Sequence, residues 1–236
     1  MSDKPLLFLL PGLMCDETVW LDQRDALAAH AEVIIPVFRG FDSLVDMATH
    51  VLDQASGHFS VVGHSMGGRV AWELMSLAPE RIERFCVMDT GVHPVSPDEP
   101  GKRQVLVEKA ISQGLNAVAE AWIGPMLHPD RQGDTALLEC ITDMILRNTV
   151  EDFLGQVKAL LERKDQSAGL SRIEHDVFLI AGEEDGWSPP SQHREIAAQL
   201  KHSQLEIVAG AGHMVTMEKP REVNTLLTQW FTANEK

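Results

Sequence analysis

The chain has 236 residues, 44% of them hydrophobic, and a formal net charge of −15 at pH 7. This length and composition suit one globular domain with a sizeable core, and the acidic balance argues against nucleic acid or an anionic membrane as a partner, because both need basic patches. The same charge mildly disfavours an acidic substrate, although a local arginine would override the mean field. Three widely spaced cysteines without a Cys-x-x-Cys pair fit a reducing, cytoplasmic compartment. No apolar run approaches the ~20 residues of a membrane span, and no metal-binding motif is present in the sequence.

Short apolar runs bounded by turn residues predict six strands, which alternate with helical patterns. The strands are expected at 6–10, 33–38, 59–63, 85–88, 177–181 and 205–208. Helices are expected at 20–29 and 44–55, from Met66 to before Pro79, after Pro189, and after Pro220. Ser43 is positioned to cap the helix that starts at residue 44. The alternation predicts the α/β class, with a doubly wound, mostly parallel sheet of about six strands and helices on both faces.

The strand pattern stops between about His93 and His175, after the prolines 94, 97 and 100. Helical patterns follow at about 101–113, 115–123, 134–147 and 150–163. The segment is too long for a loop and has no strand signal, so it is predicted to be a helical insertion. We therefore expect a core formed by residues 1–92 and 174–236 and an inserted unit of residues 93–173.

Ser65 stands between a predicted strand and a predicted helix, flanked by Gly63 and Gly67. This is the Gly-x-Ser-x-Gly pattern in the strand–turn–helix setting that it needs. The turn is so tight that a Cβ at either glycine would collide with neighbouring backbone. It would hold the Ser65 hydroxyl at the strand's carboxyl end, with the N–H of Met66 facing the place where an oxyanion forms.

Two suitable partners for Ser65 lie downstream. Asp185 follows the strand at 177–181, and His213 follows the strand at 205–208 in a glycine-rich loop. A serine hydroxyl needs a base such as histidine, and a carboxylate fixes the tautomer of that histidine. We therefore predict Ser65 as nucleophile, His213 as base and then acid, and Asp185 as the histidine's acceptor. Asp89, at the end of the strand at 85–88, is the alternative acid.

The Gly-His-Ser-Met-Gly-Gly run at 63–68, the Gly-x-x-Asp-x-x-x-Pro at 182–189 and the Gly-His at 212–213 resemble the α/β-hydrolase superfamily. The resemblance implies an α/β-hydrolase fold that lacks the first two strands of the family and carries a helical cap over the active site. It also implies a second oxyanion donor after the first strand. Pro11-Gly12-Leu13 stands where the family usually has His-Gly-x, so the N–H of Leu13 is our candidate and that of Met14 the alternative.

The predicted activity is hydrolysis of carboxylic esters or lactones of small, fairly apolar acyl groups through an acyl-enzyme, with no metal or organic cofactor. Candidate substrate contacts are Met14, Arg39, Trp122, Met126, Trp187 and Met214. Arg39 has a second interpretation, in which it only ties down its own loop. We expect a small-molecule ester as the partner, no nucleic acid or membrane, and a monomer or homodimer.

Three alternatives keep the same three residues but change the reaction: C–C bond hydrolysis, perhydrolase or haloperoxidase activity, and elimination of the type seen in menaquinone biosynthesis. The last substrate is strongly anionic and would need clustered arginines, for which Arg39 and Arg147 are the sequence candidates. A small-molecule receptor or signalling protein on the same fold is an alternative of another class.

Overall fold

The computed structural model describes residues 4–233. Its six strands are β1 (Leu6–Leu10), β2 (Glu32–Ile34), β3 (Phe59–His64), β4 (Ile82–Met88), β5 (Val177–Gly182) and β6 (Ser203–Val208). They form one parallel sheet in the order β2-β1-β3-β4-β5-β6. The predicted α/β fold with six strands is confirmed. β2 ends earlier than expected because Pro36 has no N–H to give to a neighbouring strand.

Ten α-helices lie in the described part of the chain. They are α1 (Leu21–Leu27), α2 (Leu44–Gln54), α3 (Met66–Leu77), α4 (Glu99–Gln113), α5 (Leu115–Met126), α6 (Thr135–Leu146), α7 (Val150–Leu161), α8 (Pro190–Gln199), α9 (Val215–Glu218) and α10 (Pro220–Thr232). The expected cap of α2 is confirmed, since the Ser43 hydroxyl oxygen accepts the N–H of Asp46 at 3.2 Å. None of the helices of residues 4–233 is long and apolar enough to cross a membrane.

Both faces of the sheet are covered by other parts of the chain. Successive side chains of a strand point to opposite faces, and every residue of β3 and β5 is buried. Outside the sheet, α1 packs against α10 and α2 packs against α3. Strands buried on both sides explain why β1, β3 and β5 are continuous apolar runs rather than alternating ones.

Helices α4 to α7, here called the helical insertion, lie between β4 and β5. Within it α4 packs against α5 and α7, and α5 packs against α6. The four helices that the periodicity predicts are therefore present, with ends that differ from the expected ones by at most three residues.

The register of the sheet brings the carboxyl ends of four strands together. Leu10 of β1 is paired with Gly63 of β3, and Met88 of β4 is paired with both His64 and Ile180. The loops that follow β1, β3, β4 and β5 consequently leave the same edge of the sheet, which is where ligands bind in open parallel sheets.

Candidate active site

Ser65 occupies a strained turn between β3 and α3. Its backbone has φ 54° and ψ −115°, a left-handed value that is uncommon for a residue with a side chain. A Cβ on Gly67 would lie 2.1 Å from the carbonyl oxygen of Leu10, and a Cβ on Gly63 would lie 2.4 Å from that of Gly67. Both contacts are with backbone, which cannot move aside. The two glycines thus permit the turn that exposes the Ser65 hydroxyl.

A chain of two hydrogen bonds joins Ser65, His213 and Asp185. Ser65 Oγ lies 2.8 Å from His213 Nε2, and His213 Nδ1 lies 2.8 Å from Asp185 Oδ2. A carboxylate only accepts, so the proton lies on Nδ1 and the lone pair of Nε2 faces the hydroxyl. This is the arrangement in which an imidazole can take the proton of a serine hydroxyl.

The carboxyl of Asp185 is held in its charged form. Burial alone would raise its pKa, but the charge and hydrogen bond of His213 outweigh this and leave the pKa below its ordinary value. Its second oxygen, Oδ1, accepts the backbone N–H groups of Trp187 at 2.8 Å and Ser188 at 3.0 Å. These bonds fix the carboxylate in one orientation and favour the ionised state.

Asp89, the alternative acid, has a different environment beside the same site. Its Oδ1 accepts the N–H of Gly182 at 2.8 Å, while Oδ2 has no hydrogen-bond partner within the described chain and lies 3.9 Å from His64 Nε2. Burial, followed by the charge of Asp185, raises the pKa of Asp89 well above its ordinary value. The ring of His213 donates its hydrogen bond to Asp185 and not to Asp89.

His64 lies beneath the turn, where it contacts the His213 loop. Its Nε2 lies 2.7 Å from the carbonyl oxygen of His213 and donates to it. Burial, with a further contribution from His213, lowers the pKa of His64 to about 3. The ring is therefore neutral, and it supports the loop that carries His213.

The structure adds Glu218 of α9, which the sequence did not single out. Its carboxylate accepts three backbone N–H groups: Gly212 at 2.9 Å, Met214 at 3.2 Å and His128 at 2.7 Å. Two of these flank His213 and the third follows α5. No motif marks this glutamate, because the groups that it binds come from separate parts of the chain.

The expected oxyanion donors differ in what their N–H groups contact. Met66 N is the first of α3 and, like Leu13 N, is taken by no acceptor within residues 4–233. Both residues line the cavity beside Ser65. The alternative donor, Met14 N, instead donates to Gln156 Oε1 at 2.8 Å. It is therefore not available to a ligand.

Ser65 and His213 open into a cavity of about 650 Å³ between the sheet edge and the helical insertion. Much of its wall is apolar. The apolar side chains in the wall are Leu13, Met66, Leu106, Trp122, Met126, Ile141, Met144, Ile145, Leu160, Trp187 and Met214. Trp122 stacks on Trp187 at 5.4 Å between ring centroids, and Trp187 in turn lies 4.9 Å from the ring of His213. Four of the six expected substrate contacts thus lie in the wall.

The other two expected contacts lie elsewhere. The side chain of Met14 is fully buried outside the cavity wall. Arg39 is 45% exposed, lies 3.9 Å from Asp16 and does not line the cavity. Arg147, considered for an anionic substrate, also pairs with Asp16, at 2.7 Å. The position of Arg39 agrees with its second interpretation, in which it ties down a loop. The sequence pattern did not reveal the positions of Met14 and Arg147, because it does not show where a loop folds back.

One part of the wall is strongly polar, and no motif in the sequence predicted it. It contains Arg69, His93, Glu99, Lys102, Arg103 and Arg163. Arg69 lies on α3, one helical turn after Ser65. This spacing was the one feature of the sequence that could have indicated a polar group near the serine. The others come from the segment after β4 and from the helical insertion. Within residues 4–233 no cluster of three or more histidine, cysteine or carboxylate side chains is arranged to hold a metal ion.

A model of the alpha/beta hydrolase family matches residues 7–226. The esterase YbfF of Escherichia coli strain K12 is 26% identical over 172 residues, which cover 69% of this chain and 63% of that protein. A thermophilic esterase from Thermogutta terrifontis, solved with malate bound, superposes with a TM-score of 0.89 at 26% identity, over 98% of this chain and 90% of the other. The enol-lactonase of Burkholderia xenovorans LB400 has the same fold, with a TM-score of 0.89 at 22% identity, over 98% of this chain and 92% of the other.

Proposed function

The chain belongs to the alpha/beta hydrolase family, and from that premise we propose that it is a serine hydrolase of carboxylic esters or lactones with small, mainly apolar acyl groups. The observation that carries the proposal is the hydrogen-bonded chain from Ser65 through His213 to Asp185, in the wall of the cavity between the sheet edge and the helical insertion. Similarity to two esterases supports the choice of substrate class.

In the proposed reaction Ser65 Oγ attacks the ester carbonyl while His213 Nε2 takes the hydroxyl proton. The tetrahedral oxyanion accepts hydrogen bonds from Met66 N and Leu13 N, each worth on the order of 3 kcal/mol in the transition state. Charged Asp185 stabilises the imidazolium, which then protonates the leaving alcohol. Water, deprotonated by His213, attacks the resulting acyl-Ser65 and releases the acid with the free enzyme.

The apolar wall is the proposed acyl site. Trp122, Met126 and Met144 come from the helical insertion, whereas Trp187 and Met214 come from the loops that carry Asp185 and His213. We propose on this basis that residues 93–173 act as a cap over the active site. An apolar wall on a site that excludes water would strengthen the hydrogen bonds to the oxyanion.

Initial rates on p-nitrophenyl esters from acetate to decanoate test the proposed function, with Ser65→Ala as the blank. The expected result is turnover that peaks at one acyl length and falls to background in Ser65→Ala, while circular dichroism shows that the variant is folded. Equal turnover by Ser65→Ala would contradict the role of Ser65. No turnover of any ester by the folded wild type would contradict ester hydrolysis.

The arginines in the cavity wall favour a second candidate, elimination of the type seen in menaquinone biosynthesis, whose anionic substrate needs them. Such an enzyme abstracts a proton and expels a leaving group without forming an acyl-enzyme. Inactivity throughout the ester series, with the fold intact, would favour this second function over the first.

A further inference from the structure

The polar part of the cavity wall carries more positive than negative charge. Arg69, Arg103 and Arg163 face it together, and Glu99 is the carboxylate that pairs with two of them. Lys102 is largely exposed and pairs with Asp98 outside the wall. Three guanidinium groups against one carboxylate leave a surplus of positive charge, since arginine stays protonated in proteins.

The hydrogen bonds show which of these arginines have donors left for a ligand. Arg163 is saturated: it bonds both oxygens of Glu99, at 2.8 and 2.6 Å, and the carbonyl oxygens of His93, Pro94 and Leu160. Arg69 donates from Nη1 to the His93 carbonyl at 2.8 Å and from Nη2 to His93 Nε2 at 3.4 Å. Its Nε–H has no acceptor within residues 4–233. Arg103 likewise bonds Glu99 through Nε and Nη2 and leaves Nη1 unused.

Neighbouring groups do not neutralise this surplus. Burial, with Arg69 and Arg163 nearby, lowers the pKa of His93 to about 4, so its ring is neutral. Burial together with Arg163 also lowers the pKa of Arg69, although Glu99 and the more distant Asp165 act in the opposite direction. Burial raises the pKa of the Asp89 carboxyl, which also lines the cavity, and this shift favours its uncharged form.

Arg69 and Arg103 line the same cavity as the reacting serine. Arg69 N donates to the carbonyl oxygen of Ser65 at 3.2 Å, so Arg69 lies one helical turn after Ser65, the residue that precedes α3. Four residues of α-helix correspond to an axial rise of about 6 Å. A small molecule whose carbonyl is at Ser65 can therefore place a second group a few bonds away against Arg69.

We propose that Arg69 and Arg103 form a subsite for a carboxylate of the substrate, which makes the preferred substrate an ester or lactone carrying a second, ionised carboxyl group. This inference rests on the proposed hydrolase function and narrows it. The rest of the molecule bound in the cavity contacts the apolar wall, while the carboxylate accepts the Nε–H and Nη–H groups that Arg69 and Arg103 leave unused. A planar guanidinium fork suits a carboxylate oxygen pair.

A matched pair of alkyl esters tests the subsite: monoethyl glutarate, which is anionic, and ethyl pentanoate, its neutral counterpart. Ethanol release gives kcat/KM for each ester. The ratio of the two kcat/KM values does not depend on how much of a variant preparation is active. The wild type is expected to prefer monoethyl glutarate. Arg69→Gln and Arg103→Gln should each lower the ratio by about 10- to 100-fold, the effect of one hydrogen bond to a charged group. Arg194→Gln, the same charge change at an exposed residue of α8, should leave the ratio unchanged.

Preference of the wild type for ethyl pentanoate, or an unchanged ratio in both cavity variants, would overturn the subsite while leaving ester hydrolysis intact. If the wild type cleaves neither of these esters, calorimetric titration of monoethyl glutarate into Ser65→Ala decides the subsite, and the p-nitrophenyl ester series decides the hydrolase function separately. Binding that weakens in Arg69→Gln and Arg103→Gln would support the subsite, whereas no binding would overturn it.

Discussion

Two buried carboxyls lie beside one another at the edge of the sheet, and their pKa values are shifted in opposite directions. Asp185 accepts hydrogen bonds from a histidine and two backbone N–H groups, which lower its pKa. Asp89 accepts one backbone N–H, and burial raises its pKa. The charged form is the one that stabilises an imidazolium, and Asp185 is the carboxyl that accepts the N–H of the His213 ring.

Asparagine at each position separates the two roles. Asp185→Asn should lower kcat by about 10⁴-fold, because the amide favours the wrong tautomer of His213. Asp89→Asn keeps an oxygen for Gly182 N and leaves the hydrogen bond between His213 and Asp185 in place, so we expect a loss below about tenfold. Initial rates on the best ester, with thermal unfolding as the check on folding, measure both. A large loss in Asp89→Asn with a small one in Asp185→Asn would reverse the assignment.

At the residue scale, prediction from sequence was most specific where a motif fixes the local backbone. Ser65, Asp185 and His213 each follow a strand in a recognisable turn, and the structure brings them into contact. The turn motif at Arg39 left two interpretations open, a substrate contact or a loop contact, and the side chain lies near Asp16, in agreement with the second. Arg103, in contrast, sits in the cavity wall without any motif, since its position depends on how the helical insertion folds over the sheet.

At the scale of elements, the loop that carries His213 is fastened to two other parts of the chain. His213 N donates to the carbonyl oxygen of Met126 at 2.7 Å, and Glu218 accepts the N–H groups on either side. A Cβ on Gly212 would lie 2.5 Å from that same carbonyl oxygen. The close approach of α5 to this loop therefore requires glycine before the histidine, and it ties the imidazole to the helical insertion.

Removal of the Glu218 carboxylate tests whether its hydrogen bonds hold the loop that carries His213. Glu218→Ala leaves three backbone N–H groups without their acceptor, at about 1–3 kcal/mol for each that stays buried and unpaired. We expect a lower melting temperature and a lower kcat, because His213 would no longer be held against Ser65. Glu222→Ala, an exposed glutamate of α10, is the matched control and should change neither. Unchanged kcat in a folded Glu218→Ala would show that the loop does not need this clamp.

The larger elements could be predicted from periodicity, and the short ones could not. Apolar runs located the six strands, and the helical insertion was divided into its four helices. α9 has only four residues, too few for a helical period to be visible, and Glu218 was missed with it. β2 was overestimated because the apolar run continues past the proline at which hydrogen bonding ends.

At the scale of the whole molecule, the net charge of the chain is negative, whereas the charge of one part of the cavity wall is positive. The chain carries −15 overall, yet one end of its cavity has three arginines around a single paired carboxylate. The net charge mildly disfavours acidic substrates, whereas the arginines in the cavity wall favour them. The arginines are separated by up to 94 residues, from 69 to 163, and only the packing of the helical insertion on the sheet brings them together.

Covalent labelling with a p-nitrophenyl alkylphosphonate tests the central claim, that Ser65 is the nucleophile, most directly. A phosphonate forms a stable ester with an activated serine, and peptide mass spectrometry locates it. We predict one phosphonyl group per chain, on the peptide containing Ser65, with loss of ester turnover in proportion to labelling and no label on Ser65→Ala. A label on another residue that abolishes turnover, or full turnover after Ser65 is labelled, would contradict the account.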